Sequence, residues 1–516
     1  MLGLMQTQGL MISGLLTHAA RHHASAAIIS RGHDSTTHRY TWADAERRAR
    51  RLVRVLEKLG IGEGDRVGTL AWNGYRHLEV YYAAPGMGAV CHTINPRLHP
   101  DDIVYIVNHA ADKVLFADLS FVPLLAGIAP AIKDNVRHVV MLCGPEEMPE
   151  LTLPPGMMLH CHDTLLDAAD EDHVWRSFDE NTASALCYTS GTTGRPKGVP
   201  RTHTADRAGG LGQALHHGYE HGDRTLGVMP LYHTMGIHSL VAMHLVGGCY
   251  VPQARWDPGE ALRLIEEERI TSLYLAPTLF YDLVSEERLA EHDVSSVRAL
   301  GYAGSAMTST VVTRCAEVFE PEVFVNHYGS TEVYTFSIGN DQIGKPGCAG
   351  RPSVNVRLKL EPSGEICAHL SGDEAFGGYW NRPDADAKAI RGGWYHTGDT
   401  GHLDADGDLW IDGRLDDMII SGGENIHPLE VEDVLASHPG VREAAVVGSP
   451  DDRLGQRVVA VVVGDATAEE LDAHCLASPL ARFKRPREYR LVPALPKSAS
   501  GKILRRVLRD EPKESV

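Results

Sequence analysis

Between residues 40 and 190 the chain alternates runs of helical period with short apolar runs, and this alternation constrains the fold more than any other feature. TWADAERRARRLVRVLEKLG (41–60) places apolar residues at helical spacing, with Thr41 as N-cap and Gly60 as stop. RVGTLAW (66–72) reads as a short buried strand and YRHLEVYYAAPGMGAV (75–90) as a returning helix. VRHVVML (136–142) and TASALCYTS (182–190) supply further strands. Strands separated by helices predict a largely parallel sheet covered by helices, hence an α/β class.

A chain of 516 residues exceeds one ordinary core. GYWNRPDADAKAIRGGWYHTGD (378–399) reads as turn-rich and then extended, and DLWIDGR (408–414) as an amphipathic strand. Beyond it the pattern changes. LEVEDVLASHPG (429–440) and TAEELDAHCLAS (467–478) read as helices, and REAAVVGSP (442–450) and RVVAVVVG (457–464) as strands. The expected division is a large domain of helix-covered sheets over 1–414 and a small α+β domain over 415–516.

At 43% hydrophobic and 23% charged residues the composition is globular. The nine cysteines form no CxxC pair, so neither a zinc site nor a disulfide framework is indicated, and they fit reduced thiols of a cytoplasmic enzyme. The apolar start, MLGLMQTQGLMISGLLTHAARHH, has no basic side chain before Arg21 and no clear small-residue cleavage site. It reads as a docking strand or turn followed by an amphipathic helix. No apolar run approaches the roughly 20 residues needed to span a bilayer, so no membrane span is expected. The net charge of −19 argues against nucleic-acid binding. Residues 481–516 nevertheless carry eleven Lys/Arg against four acids, a basic tail on an acidic protein.

The strand at 182–190 runs into YTSGTTGRPKG (188–198). Gly191, Gly194 and Gly198 allow close backbone approach to a ligand, Thr189, Ser190, Thr192 and Thr193 supply hydroxyls, and Lys197 supplies a positive charge. Such a loop suits a polyphosphate. It is not the P-loop pattern, because Pro196 precedes Lys197 and Gly198 follows it.

Six further segments follow in order: MPLYHTMG (229–236), YAGSAM (302–307), NHYGSTE (326–332), WYHTGDTG (394–401), GRLDDMIISGGENIHPLEVE (413–432) and PKSASGKILRR (496–506). Together with the glycine-rich loop they resemble the acyl-adenylate-forming superfamily of acyl- and aryl-CoA ligases, luciferases and peptide-synthetase adenylation domains. The resemblance implies a carboxylate activated by ATP through an acyl-AMP, then passed to coenzyme A, with Mg²⁺ as the metal. By the same resemblance Lys502 bridges the carboxylate and the α-phosphate. Glu332 and Thr192 serve Mg²⁺, and Thr331 touches the α-phosphate. Thr189, Ser190, Gly191, Thr192, Thr193, Gly194 and Lys197 hold the outer phosphates. Gly304, Ser305, Ala306, Asn326, Tyr328 and Gly329 surround the nucleotide, and Asp399 takes the ribose hydroxyls beside Arg414. Asp416 matches the hinge about which the small domain rotates. Gly422 and Gly423 match the pantetheine tunnel, and Phe483, Arg485 and Arg487 the nucleotide end of CoA, which gives the basic tail a purpose. Relatives of this kind are commonly dimers, so a homodimer is compatible with the resemblance, although the sequence itself does not determine the oligomeric state.

The C-terminal third is most similar to 4-chlorobenzoate-type ligases, whereas AWNGYRHLEVYYAAPGMGAVCHTINPRL (71–98) resembles medium-chain fatty-acyl ligases. Positions carried over for the acid pocket are Gly212, His233, Thr234, Met235, Leu275, His327, Gly329, Tyr334 and Thr335, with His233 also beside the reacting groups. Hydrogen-bonding groups at His327, Tyr334 and Thr335 favour a ring heteroatom or hydroxyl, because burying them unpaired is costly. A 2-furoate- or benzoate-type acid fits. The alternatives are a medium-chain fatty acid, or a carrier-protein-loading domain whose basic tail docks an acidic partner.

Overall fold

The computed structural model describes residues 3–189, 195–451, 453–497 and 503–510. Ser190, Gly191, Thr192, Thr193, Gly194 and Lys502 therefore lie outside the described residues.

The alternating segment builds a seven-stranded sheet. Its spatial order is Met158–Cys161, His138–Met141, Asp112–Ala117, Arg66–Leu70, Val90–Thr93, Ala183–Thr189 and Lys197–Thr202. Every pair is parallel except the last, where Ala183–Thr189 and Lys197–Thr202 run antiparallel around the glycine-rich loop. Helix Trp42–Lys58 starts where expected. Thr41 accepts from the Asp44 amide and Asp44 answers on the Thr41 amide, a reciprocal cap. Trp42 and Tyr81 lie in the core under this helix, and the Trp42 indole donates to the Gly248 carbonyl at 2.9 Å. The apolar start folds as a short loop and helix Ile12–His22, which packs on helix Trp42–Lys58.

A second, nine-stranded sheet runs Arg351–Pro352, Ser337–Gly339, Val323–Tyr328, Ala299–Ala303, Ser272–Leu275, Arg224–Gly227, Cys249–Pro252, Ala27–Arg31, Thr37–Thr41. It is parallel at its centre and antiparallel at both edges. A third sheet is antiparallel and is built on the long strand Trp394–Leu403, which pairs with Glu365–His369 on one side and Leu409–Arg414 on the other. The stretch read as turn-rich also contains helix Pro383–Ala389, with Pro383 in its first turn and Asp384 and Asp386 there to complement the dipole. Each of the nine cysteines is a buried free thiol.

After Arg414 a single 3-10 turn, Leu415–Asp417, leads to a separate five-stranded sheet. Strands Val441–Asp451 and Gly455–Gly464 form its long hairpin, with Glu488–Leu491 added in parallel. The small unit touches the large one through helix Pro428–Ala436, where Asp433 Oδ1 accepts from the Ser309 amide at 3.3 Å. Ser309 opens helix Ser309–Phe319, whose own N-cap residue makes no side-chain cap. An acid from the small unit thus serves a free helix N-terminus of the large one.

Candidate active site

Two polar clusters gather at the ends of the strands that carry the motifs. In the first, Lys197 opens strand Lys197–Thr202 and sets its ammonium 4.4 Å from the centre of the Tyr379 ring and 3.4 Å from its hydroxyl. The Tyr379 hydroxyl donates to Glu332 Oε1 at 2.7 Å. Burial first, and the Glu332 carboxylate second, push the Tyr379 phenol far above its ordinary range, so it stays a donor. Glu332 is only 6% exposed, a hard carboxylate suited to a small divalent cation.

In the second cluster Asp399 lies opposite Arg414 in the ladder. Arg414 donates to Asp399 Oδ1 at 2.6 Å and to the Thr397 carbonyl at 2.9 Å, and the Tyr328 hydroxyl donates to Asp399 Oδ2 at 2.7 Å. Asn326, two residues earlier on the same strand, fixes the neighbouring loop by donating to the carbonyls of Gly347 and Cys348. Gly304, Ser305 and Ala306 are exposed just after strand Ala299–Ala303, which pairs with the strand carrying Asn326 and Tyr328.

A buried bridge absent from the motifs joins the two regions. Arg201 donates to Asp206 Oδ1 at 2.6 Å and to the Thr331 carbonyl at 3.1 Å, which links the strand after the phosphate loop to NHYGSTE. Asp206 also accepts from Ser184 at 2.7 Å. The Arg201 guanidinium holds the Asp206 carboxyl well below its ordinary range against the opposing effect of burial, which is the larger single influence.

The expected acid pocket is assembled in part. Met229, Met235, Tyr274 and Ala303 form one apolar cluster, and a Cβ on Gly304 would stand 3.8 Å from the Met235 sulfur. Thr234 opens helix Thr234–Val246, with His233 as its half-buried N-cap residue. Leu275 does not join them. It packs with Leu273 and Leu300 in the core on the other face of the sheet, and Tyr274 takes the pocket side. In a strand an error of one residue changes the face.

The premise that His327, Tyr334 and Thr335 are left for a ligand does not hold. His327 bonds His217 through Nδ1 at 3.2 Å and Thr335 through Nε2 at 3.0 Å. Tyr334 donates to Gln213 at 2.8 Å, and the Tyr274 hydroxyl stands 3.3 Å away. These groups satisfy one another. Burial lowers the His217 pKa to about 3 and that of His238 to about 4, and drives His327 well below its ordinary value, so all three are neutral at pH 7. Gly329 closes the turn here, since a Cβ on it would meet the Tyr334 carbonyl oxygen at 1.7 Å.

Two glycine readings change. Gly198 lies across the ladder from Tyr188, and a Cβ on it would come within 3.0 Å of the Tyr188 ring. Its identity serves strand packing, not ligand approach. Gly422 and Gly423, with φ of +63° and +87°, form the two-residue turn between Ser421 and Glu424, a geometry that demands glycine on its own. In the basic tail Phe483 is 44% exposed, as a stacking platform should be. Arg485 is instead tied to Asp472 within the small unit, and Arg487 donates its amide to the Val458 carbonyl. Asp416 sits in the connecting 3-10 turn. Arg509 grips its carbonyl and the Asp417 carboxylate, while Arg505 holds Glu432 at 2.7 Å, so the helix just after Lys502 is anchored to the hinge segment.

The comparisons with known proteins agree with this arrangement. The AMP-binding enzyme family matches residues 15–380, and the AMP-binding enzyme C-terminal domain matches residues 430–502. A 3-methylmercaptopropionyl-CoA ligase of Ruegeria lacuscaerulensis is 36% identical over the whole of both chains. A 4-chlorobenzoate–CoA ligase of an Arthrobacter species is 33% identical, covering 92% of this chain and 90% of its own. The solved structure of an anthranilate CoA ligase in complex with anthranoyl-AMP superposes with a TM-score of 0.88 at 25% identity, covering 98% of this chain and 97% of its own. No described helix is long and apolar enough to cross a membrane. The chain belongs to the AMP-binding enzyme family and is an acyl- or aryl-CoA ligase that works through an adenylate.

Proposed function

We propose that the protein joins a small aromatic or heteroaromatic acid, of benzoate or 2-furoate size, to coenzyme A with release of AMP and pyrophosphate. The observation that carries the adenylating part of this reading is the pair of clusters Lys197–Tyr379–Glu332 and Tyr328–Asp399–Arg414, tied together through the segment 328–332. One cluster is built for phosphates and a cation, the other for a diol. Asp399 accepts the ribose hydroxyls, and Lys197 with the loop 189–194 grips the β- and γ-phosphates. Glu332 and Thr192 would hold Mg²⁺, which would supply positive charge against the phosphates.

In the first step a carboxylate oxygen of the acid bonds to the α-phosphorus and pyrophosphate leaves, with Lys502 drawing the two anions together. In the second the CoA thiol, giving up its proton, bonds to the acyl carbon and AMP leaves. The small domain turns about Asp416 between the steps, presenting Gly422, Gly423 and the Phe483 segment to CoA.

The aromatic nature of the acid is supported by the wall described above. Tyr274, Tyr334, His217 and His327 pack ring against ring at 4.6–5.8 Å, a rigid aromatic wall that suits a flat acid.

Acid-dependent ATP–pyrophosphate exchange across furoate, benzoates and C6–C12 fatty acids, followed by thioester formation with CoA, tests the reading. Best activity on C8–C12 chains would sink the aryl assignment, and exchange without CoA turnover would point to carrier loading. Lys502→Ala is expected to lose adenylation while keeping thioester formation from supplied acyl-AMP. Equal loss of both halves contradicts its role.

A further inference from the structure

The most unusual polar group in the acid-pocket cluster belongs to none of the motifs. Glu374 lies in the loop after strand Glu365–His369, and its neighbour Ala375 bridges to Val333, which brings it against the segment holding Tyr334 and Thr335. It is 7% exposed. Thr335, through its hydroxyl and its amide, and Arg201, through space, both favour its ionised carboxylate against burial. The Arg201 guanidinium directs its own bonds to Asp206, Thr331 and His238 instead. Among the described residues Glu374 Oε2 is buried with no hydrogen-bond partner.

An unpaired buried oxygen of this kind carries its full desolvation penalty, and a native chain that keeps one calls for a reason. Gly212 supplies a second pointer. A Cβ there would stand 3.2 Å from Glu374 Oε1, so a larger residue would press on the carboxyl from the side of helix His203–His216.

We propose that Glu374 is a specificity-determining residue whose carboxyl accepts a hydrogen bond from a hydroxyl or amino group on the acid substrate, remote from the carboxylate that is activated. The proposal rests on the reading that the cluster around Gly212, Tyr334 and Thr335 holds the acid. The hydrogen bonds behind Glu374 are consistent with an acceptor role. When its carboxylate accepts from the Thr335 hydroxyl, the Thr335 oxygen is left to accept from His327 Nε2–H at 3.0 Å. His327 Nδ1 then accepts from His217 Nε2–H at 3.2 Å. With the protons so assigned, every donor in the row faces toward Glu374, and its unpaired oxygen is left to accept one more. A site committed to accepting a hydrogen bond rejects the analogue that lacks the donor far more strongly than an apolar pocket rejects an added hydroxyl.

Matched acids test this: benzoate, 3- and 4-hydroxybenzoate, 3- and 4-aminobenzoate, and 4-chlorobenzoate, assayed by pyrophosphate exchange with the wild type, Glu374→Gln and Glu374→Leu. On the wild type at least one hydroxy or amino acid is expected to exceed both benzoate and 4-chlorobenzoate tenfold or more in kcat/KM, mainly through KM. Glu374→Leu should invert that order. Should the leucine variant fail to fold, Glu374→Gln decides, because its amide adds a donor and should shift preference toward the matching methoxybenzoate. A wild type that activates benzoates without discriminating, or a folded Glu374→Leu that ranks the acids as the wild type does, overturns the proposal and leaves the aryl reading standing. Activation of alkyl acids alone overturns both.

Discussion

The Tyr379 hydroxyl bonds Glu332 at 2.7 Å while the ring of the same residue supports the Lys197 ammonium. One side chain therefore positions both the expected metal ligand and the expected phosphate-binding lysine. Tyr379→Phe keeps the ring and removes the bond. A hydrogen bond to a charged group contributes about 1.5–3 kcal/mol, so exchange is expected to fall roughly tenfold or more with a raised Mg²⁺ requirement and an unchanged KM for the acid. Magnesium titrations of the exchange rate check this. An unaltered Mg²⁺ dependence would show that Glu332 is held without Tyr379.

Asp399 is gripped from two sides, by Tyr328 and Arg414. Asp399→Asn should raise the KM for ATP at least tenfold and leave the acid KM within about twofold, since loss of a charged acceptor costs on the order of 1.5–3 kcal/mol. A larger effect on the acid than on ATP would refute the assignment of this cluster to the ribose.

Glu374 makes stability depend on pH. Burial, opposed by its Thr335 hydrogen bonds, raises its pKa from 4.5 to about 7. The folded chain thus holds this proton more tightly than the unfolded one. The unfavourable contribution is absent below the unfolded value and grows as pH rises through about 7. It reaches about 3 kcal/mol once the folded group is ionised. Glu374→Gln should therefore raise the thermal midpoint relative to wild type at pH 8 and change it little at pH 4.5. Equal differences at the two pH values would contradict the assignment.

The Arg201–Asp206 pair is almost wholly buried. Removing one partner strands a charge, which costs about 3–5 kcal/mol. Asp206→Ala should lower the midpoint of denaturant unfolding of the large domain markedly, whereas Arg269→Ala, at the exposed Arg269–Asp293 pair, should not. Comparable losses would mean that the buried pair is better solvated than its position implies.

The local signals were legible in the sequence. Thr41 capped its helix through Asp44, the strand at 183–189 ran into the glycine-rich loop, and the motif residues Lys197, Glu332, Tyr328, Asp399 and Arg414 came together in two clusters. What escaped was pairing over distance. Tyr379, Arg201 and Glu374 belong to none of the motifs and acquire meaning only when segments remote in sequence meet. The polar pocket wall was misjudged for the same reason, because His217 lies 110 residues from His327 and Gln213 lies 121 from Tyr334. Leu275 was placed on the wrong face because a strand of four residues, all buried, carries no alternation to show which side faces the site.

Asp399 and Arg414 form the rung that ends the ladder between strands Trp394–Leu403 and Leu409–Arg414, and the connecting turn begins at the next residue. The nucleotide's expected anchor therefore lies directly beside the proposed pivot of the small domain. On that proposal, a ribose that tightens this rung stiffens the pivot, and a product that leaves it loosens the pivot. Turnover and domain rotation can then keep time with each other without any signal travelling through the body of the protein.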